Sequence, residues 1–118
     1  MTKIGREKYR LRIKLDLTGG VIGPGKAELM KKIDALGSIS AAAREMGINY
    51  RRAWFLLETM NKPLGRPVVR TAKGGPAGGG ASLSVTGRAI LRAYEDCVLN
   101  AEQSTIKVLE NLQATLNK

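Results

Sequence analysis

The stretch GSISAAAREMGINYRRAWFLLETM, Gly37–Met60, decides how this chain is read. Ile39, Ala42, Ala43 and Met46 fall at i, i+3, i+4 and i+7, one face of a helix. Ser38 is suited to cap that helix, because its hydroxyl can accept a hydrogen bond from a free backbone N–H. The buried face is made of small residues, which lets a second helix approach closely. Gly47 can take the left-handed conformation that turns the chain sharply, leaving Ile48 to plug the corner. Asn49 caps a second helix that buries Ala53, Leu56, Leu57 and Met60. Arg51, Phe55, Glu58 and Lys62 lie on its opposite face, flanked by Arg52 and Trp54. Two short helices crossing at a glycine turn, with arginines opening the second, predict a helix-turn-helix whose second helix enters a DNA groove.

Outward from this pair, the charge distribution agrees. Net charge is +10 over 118 residues. Residues 1–26 carry a net +5, residues 44–92 a net +7 and residues 93–118 a net −2. A segregated basic block attracts a polyanion such as nucleic acid. There is no histidine, so the commonest general base is missing, and the single cysteine, Cys97, allows no internal disulfide or CxxC site. Cys97 is expected to be a small core residue. No run approaches the ~18 apolar residues of a membrane helix. Neither cofactor nor metal is expected, and the expected location is the cytoplasm, associated with the nucleoid.

Upstream, residues 1–8 are polar and expected to fray. Leu11, Ile13, Leu15 and Leu17 alternate with Arg12, Lys14 and Asp16, the period of a half-buried strand. Thr18–Gly25 reads as a turn. Within it, Gly20, Gly25 and Lys26 have the spacing of a phosphate-binding loop, but Ala27 stands where that loop needs a magnesium-holding hydroxyl. An enzyme built on it is therefore not expected. Leu29, Met30, Ile33 and Leu36 form the stripe of a helix over Lys26–Leu36, stopped by Gly37.

Downstream, the prolines and glycine of Asn61–Pro67 end the second helix of the pair near residue 61. Residues 67–85 hold two short β-type runs around TAKGGPAGGGAS and predict a hairpin, the wing of a winged helix. Thr86 can cap a last helix over about 86–116, roughly 30 residues or ~45 Å long. Its stripe runs from Ile90, Leu91, Tyr94 and Val98 through Val108, Leu109 and Leu112 to Leu116. That is more than a small domain covers, so part of it should pack on a second copy. The expected fold is mainly α with a small β component: a winged helix-turn-helix over residues 9–118, ending in a dimerisation helix.

Arg reads guanine through a two-pronged contact, and Arg51 faces outward where recognition helices meet base edges, so it is the choice for base readout. Arg52 and Tyr50 suit either base edges or phosphate. Asn49 is either a cap alone or a cap that also reads a base. Phe55 meets either a thymine methyl or, slightly favoured, the hairpin, and Trp54 is read as core. Ser40 donates to a phosphate or to solvent. Lys62, Arg66, Arg70, Lys73 and Arg88 would hold phosphates, which sets affinity and register.

These residues resemble a known family. GSISAAAREMGINYRRAW, then LETMN, then TAKGGPAGGGASLSVTGRAIL, is similar to the N-terminal DNA-binding domain of ModE-type molybdate-responsive regulators, itself similar to the helix-turn-helix of LysR-type regulators. The likeness covers about Leu29 to Tyr94. It implies a bacterial or archaeal winged-helix regulator that dimerises through its first and last helices. It places Ser40, Asn49, Tyr50, Arg51 and Arg52 on the DNA-facing motif, and Arg70 and Lys73 on the wing. The family's molybdate-binding region, with its small barrels and SARNQ-type oxyanion motif, has no counterpart in these 118 residues. Molybdate binding is therefore not expected of this chain alone. The expected function is a homodimeric, sequence-specific regulator on a palindromic operator, the recognition helix at about 49–61 in the major groove. The alternative is a non-specific architectural protein that reads only the DNA backbone.

Overall fold

The computed structural model describes residues 3–4, 9–18, 20–75 and 78–118, with side chains for 10–18, 20–72 and 80–118. Among these residues it is mainly helical, with three two-stranded antiparallel ladders.

Of the segment expected to fray, residues 1, 2 and 5–8 lie outside the described residues. Lys3–Ile4 (β1) instead pairs with Tyr9–Arg10 (β2). The alternation from Leu11 to Leu17 is present as burial: Leu11, Ile13, Leu15 and Leu17 are half-buried, and Arg12, Lys14 and Asp16 are exposed. Only Leu15–Leu17 (β3) joins a ladder, with Gly20–Ile22 (β4). Residues 11–14 are held differently, the Tyr94 hydroxyl donating to the Ile13 carbonyl at 2.8 Å. The stretch read as a turn thus contains a strand. Thr18, at φ 44°, reverses the chain early enough for Ile22 to reach the core fully buried.

Pro24–Leu36 forms α1, starting before Lys26 because Pro24 suits the first helical position, where no N–H is needed. Leu29, Met30 and Ile33 are fully buried, while Leu36, expected on the same stripe, is 42% exposed. Gly37 ends the helix at φ 70°. Ile39–Met46 forms α2, its Ser38 cap accepting from the Ala41 N–H at 3.0 Å. Gly47, also at φ 70°, turns the chain into Tyr50–Leu64, α3. This helix runs past the expected end: Pro63 sits in its last turn with its ring against Gly20, and Gly65 terminates it. A proline so close to the C-terminus loses one hydrogen bond without breaking what precedes it.

Val69–Gly75 (β5) and Gly78–Leu83 (β6) form the expected hairpin, with Val69 opposite Leu83 and Thr71 opposite Ala81. Its base is pinned by side chains from two helices and by Ser84 just after the hairpin. Asn61 at the end of α3 accepts from the Val68 N–H at 2.9 Å. Asp34 of α1 accepts from the Leu83 N–H at 3.2 Å. Ser84 donates its hydroxyl to the Pro67 carbonyl at 2.7 Å.

Val85–Leu116 forms α4, 32 residues and about 48 Å at 1.5 Å per residue. Its cap is Ser84, whose Oγ accepts from the Gly87 N–H at 3.0 Å; Thr86, the expected cap, lies inside the first turn. Tyr94 and Val98 enter the core, but Val108, Leu112 and Leu116 are exposed. Cys97, expected inside, is exposed, because it falls off the Tyr94–Val98 face. No described helix is long and apolar enough to cross a membrane.

Candidate nucleic-acid interface

The start of α3 carries the candidate site. Asn49 spends its side chain on the helix: Oδ1 accepts from the Arg52 N–H at 2.7 Å. That cap fixes the first turn and presents Tyr50, Arg51 and Arg52 outward, all exposed. Tyr50 meets Trp54 edge-on, with ring centres 6.2 Å apart, and Trp54 is half-buried against the core. Phe55 is 56% exposed, and the Arg52 guanidinium lies 5.3 Å from its ring centre. The exposed ring gives Arg52 a flat, polarisable support.

Ser40 is exposed in the first turn of α2, and Lys62, Arg66 and Arg70 are exposed around the end of α3 and the start of the hairpin. Among the described residues, none of Arg51, Arg52, Lys62, Arg66 and Arg70 has an ion-pair partner. The Lys73 side chain lies outside the described ones. Arg88 stands apart. Both its terminal nitrogens donate to Asp34, at 2.8 and 3.0 Å, and the same carboxylate holds the Leu83 N–H. Arg88 therefore has a structural task, bracing the hairpin base against α1.

The degenerate phosphate loop forms no phosphate cradle. Gly20 sits in a strand opposite Leu17, and the Lys26 amine donates to the Val21 carbonyl at 2.8 Å. Lys26 matters differently. Burial lowers its proton affinity first, and the nearby positive charges of Arg52 and Lys14 lower it further. The fold thus brings the charges of Lys14 and Arg52 within reach of the Lys26 amine, although Lys14 and Lys26 precede Arg52 by 38 and 26 positions. Sequence reading assigns Lys14 to a strand and Lys26 to a failed motif. No local pattern links them to α3, and Asp34 is equally silent as the hairpin's anchor. No group of three or more His, Cys, Asp or Glu among the described residues could hold a metal ion.

No protein-family model matches the chain. Individual relatives do. The chain is 41% identical over 103 residues to the molybdenum-pterin-binding protein MopB of Rhodobacter capsulatus, covering 87% of this chain and 37% of MopB. It is 32% identical over 96 residues to the transcriptional regulator ModE of Haemophilus influenzae, covering 81% of this chain and 37% of that protein. It is 35% identical over 88 residues to the DNA-binding transcriptional dual regulator ModE of Escherichia coli K12, covering 75% of this chain and 33% of that protein. The chain is a Mop/ModE relative. It spans only 33–37% of the length of these three curated relatives. The names of such relatives divide between molybdenum-pterin-binding proteins and transcriptional regulators.

Proposed function

We propose that this chain is a sequence-specific DNA-binding transcription regulator. The observation that carries the proposal is the start of α3. One capped helical turn exposes Tyr50, Arg51 and Arg52, with no carboxylate paired to either arginine among the described residues. In this reading α2 and α3 are a helix-turn-helix, α3 enters the major groove and Arg51 reads a guanine edge. Residues 67–85 are the wing, with Arg66 and Arg70 on backbone phosphates beside Lys62 and Ser40. The regulator names of the ModE relatives support this assignment.

The regulator acts as a homodimer on a palindromic operator in this proposal, joined through α1 and α4. Two features support that arrangement. A groove of about 840 Å³ runs between α1 and α4, where Ala27, Leu36, Leu91, Val98 and Leu99 share the lining with the charged Glu28, Lys31, Lys32, Glu45 and Glu95. Glu102 borders it, 7% exposed, with Oε2 lacking a hydrogen-bond partner among the described residues. A second copy would cover the apolar lining and supply the donor.

Fluorescence anisotropy on a duplex selected from a random pool, and on its scrambled counterpart, tests the proposal. Tighter binding to the selected duplex is expected, whereas equal affinity favours the architectural alternative. Adding molybdate to the same titration tests the expectation that this chain alone does not bind it; a shifted affinity contradicts that.

A further inference from the structure

Three of the five aromatic residues in the chain, Tyr50, Trp54 and Phe55, fall within six consecutive positions at the start of α3. Trp54 is half-buried against the core. Tyr50 and Phe55 are left more than half exposed. The buried side of α3 carries Ala53, Leu57 and Met60, and by helical spacing Phe55 stands on the side opposite to them. Arg51 precedes it by four residues, so the two side chains are neighbours on that outer side. The Arg52 guanidinium lies over one side of the Phe55 ring, 5.3 Å from its centre. That contact steadies the ring and leaves most of the residue open to a partner. Glu58, one turn further along, accepts from the Asn61 amide at 3.1 Å, so the carboxylate on this side is engaged within its own helix. An exposed benzene ring gains by being covered with an apolar group. In the major groove the apolar group that a base pair presents is the C5-methyl of thymine.

The geometry points to Phe55 as a specificity-determining residue that packs on the C5-methyl of a thymine in the major groove. This rests on the DNA-binding reading above and extends it. Arg51 reads a guanine edge through hydrogen bonds, and Phe55 reads a nearby A·T pair through apolar contact. Four residues of helix advance about 6 Å, against about 3.4 Å for each base pair. The thymine is therefore expected within about two base pairs of that guanine. A ring that served only to hold Arg52 would have no dependence on a methyl group.

The test replaces the thymines of the selected duplex one at a time by deoxyuridine, which removes only the methyl, and measures binding by anisotropy. At one thymine of the half-site, wild type is expected to lose about fourfold in affinity, the worth of one buried methyl-sized group. Phe55→Ala is expected to bind the all-thymine duplex more weakly and to lose nothing further on that replacement. Selection from the random pool repeated with Phe55→Ala is expected to keep the guanine and to lose the preference for thymine. Phe55 is exposed, so the variant is expected to keep the urea midpoint of wild type; if it does not fold, Phe55→Gln takes its place. A wild type indifferent to every deoxyuridine replacement overturns the proposal, whatever the variants do. A methyl effect that Phe55→Ala retains also overturns it, since another residue or the shape of the duplex then reads the methyl. Weaker binding by Phe55→Ala and Phe55→Leu alike, with no effect of deoxyuridine on wild type, assigns the ring to the support of Arg52 alone and overturns the base contact. Wild type that binds the selected and scrambled duplexes equally overturns the parent reading too; wild type that prefers the selected duplex but ignores its methyl groups overturns only this one.

Discussion

Gly87 stands against the backbone of Val68, so close that a Cβ on residue 87 would overlap the Val68 carbonyl oxygen. Neither partner is a flexible side-chain end, so the overlap can be relieved only by moving α4 away from the hairpin. Gly87→Ala is therefore expected to destabilise the fold by about 2–3 kcal/mol, read from the urea midpoint. An unchanged midpoint would mean that the two backbones have room to part. Tyr94 makes a prediction about pH. Its phenol is buried, and burial raises its pKa above the ordinary 10.0, the nearby Arg12 opposing the shift. The folded state then keeps the proton where the unfolded chain has lost it. Its contribution is intact below pH 10.0 and is lost as pH rises through the folded value. Tyr94→Phe is expected to cost about 1 kcal/mol near neutrality, through the hydrogen bond to Ile13. It should also make stability fall less steeply in melts run from neutral to strongly alkaline pH. At the proposed interface, Arg51→Ala is expected to weaken binding to the selected duplex by about 1–3 kcal/mol and to relax specificity at one base pair. A uniform loss on selected and scrambled duplexes would make Arg51 a phosphate contact instead.

The hairpin is the element whose position depends most on others. Gly-rich strands have little side-chain area with which to pack, and β5–β6 is fastened through polar groups at its base. Asp34 is the key fastener, holding both Leu83 and Arg88. Asp34→Ala is expected to cost about 1–2 kcal/mol, since it strands a backbone donor and frees a partly exposed guanidinium. Amide exchange over residues 69–83 should quicken while α2 and α3 stay protected; equal protection in variant and wild type would count against this role. Elements with a strong local signal were legible. The caps Ser38 and Asn49, the turn at Gly47 and the hairpin all stand where their residues place them. Elements whose identity rests on distant partners were not. β4 reads as a turn because glycine and proline surround it, yet Ile22 finds the core and Leu15 pairs with it. Thr86 and Ser84 are both good caps by type. Ser84 is the cap because its backbone N–H already bonds the Val68 carbonyl at 2.9 Å and its hydroxyl reaches Pro67.

For the molecule as a whole, α4 sets the length, extending the protein to 61 Å against 28 and 19 Å in the other directions. Its second half carries Val108, Leu112 and Leu116 into solvent, apolar side chains that a lone domain has no surface to cover. Light scattering at micromolar concentration is expected to give the mass of a dimer, and Leu112→Lys to shift it towards monomer. A monomeric wild type would contradict the dimer. The sequence by itself determined the order of helices, the glycine turn and the arginines that open α3. Each of these depends on residues within a few positions of one another, where capping, helical period and backbone freedom act. Only the tertiary structure decided that Arg88 braces the hairpin through Asp34, that Phe55 supports Arg52 in the open, and that the charges of Lys14 and Arg52 come within reach of the Lys26 amine. Charge and aromatic contacts act through space, and nothing in a local pattern records which distant segments the core will bring together.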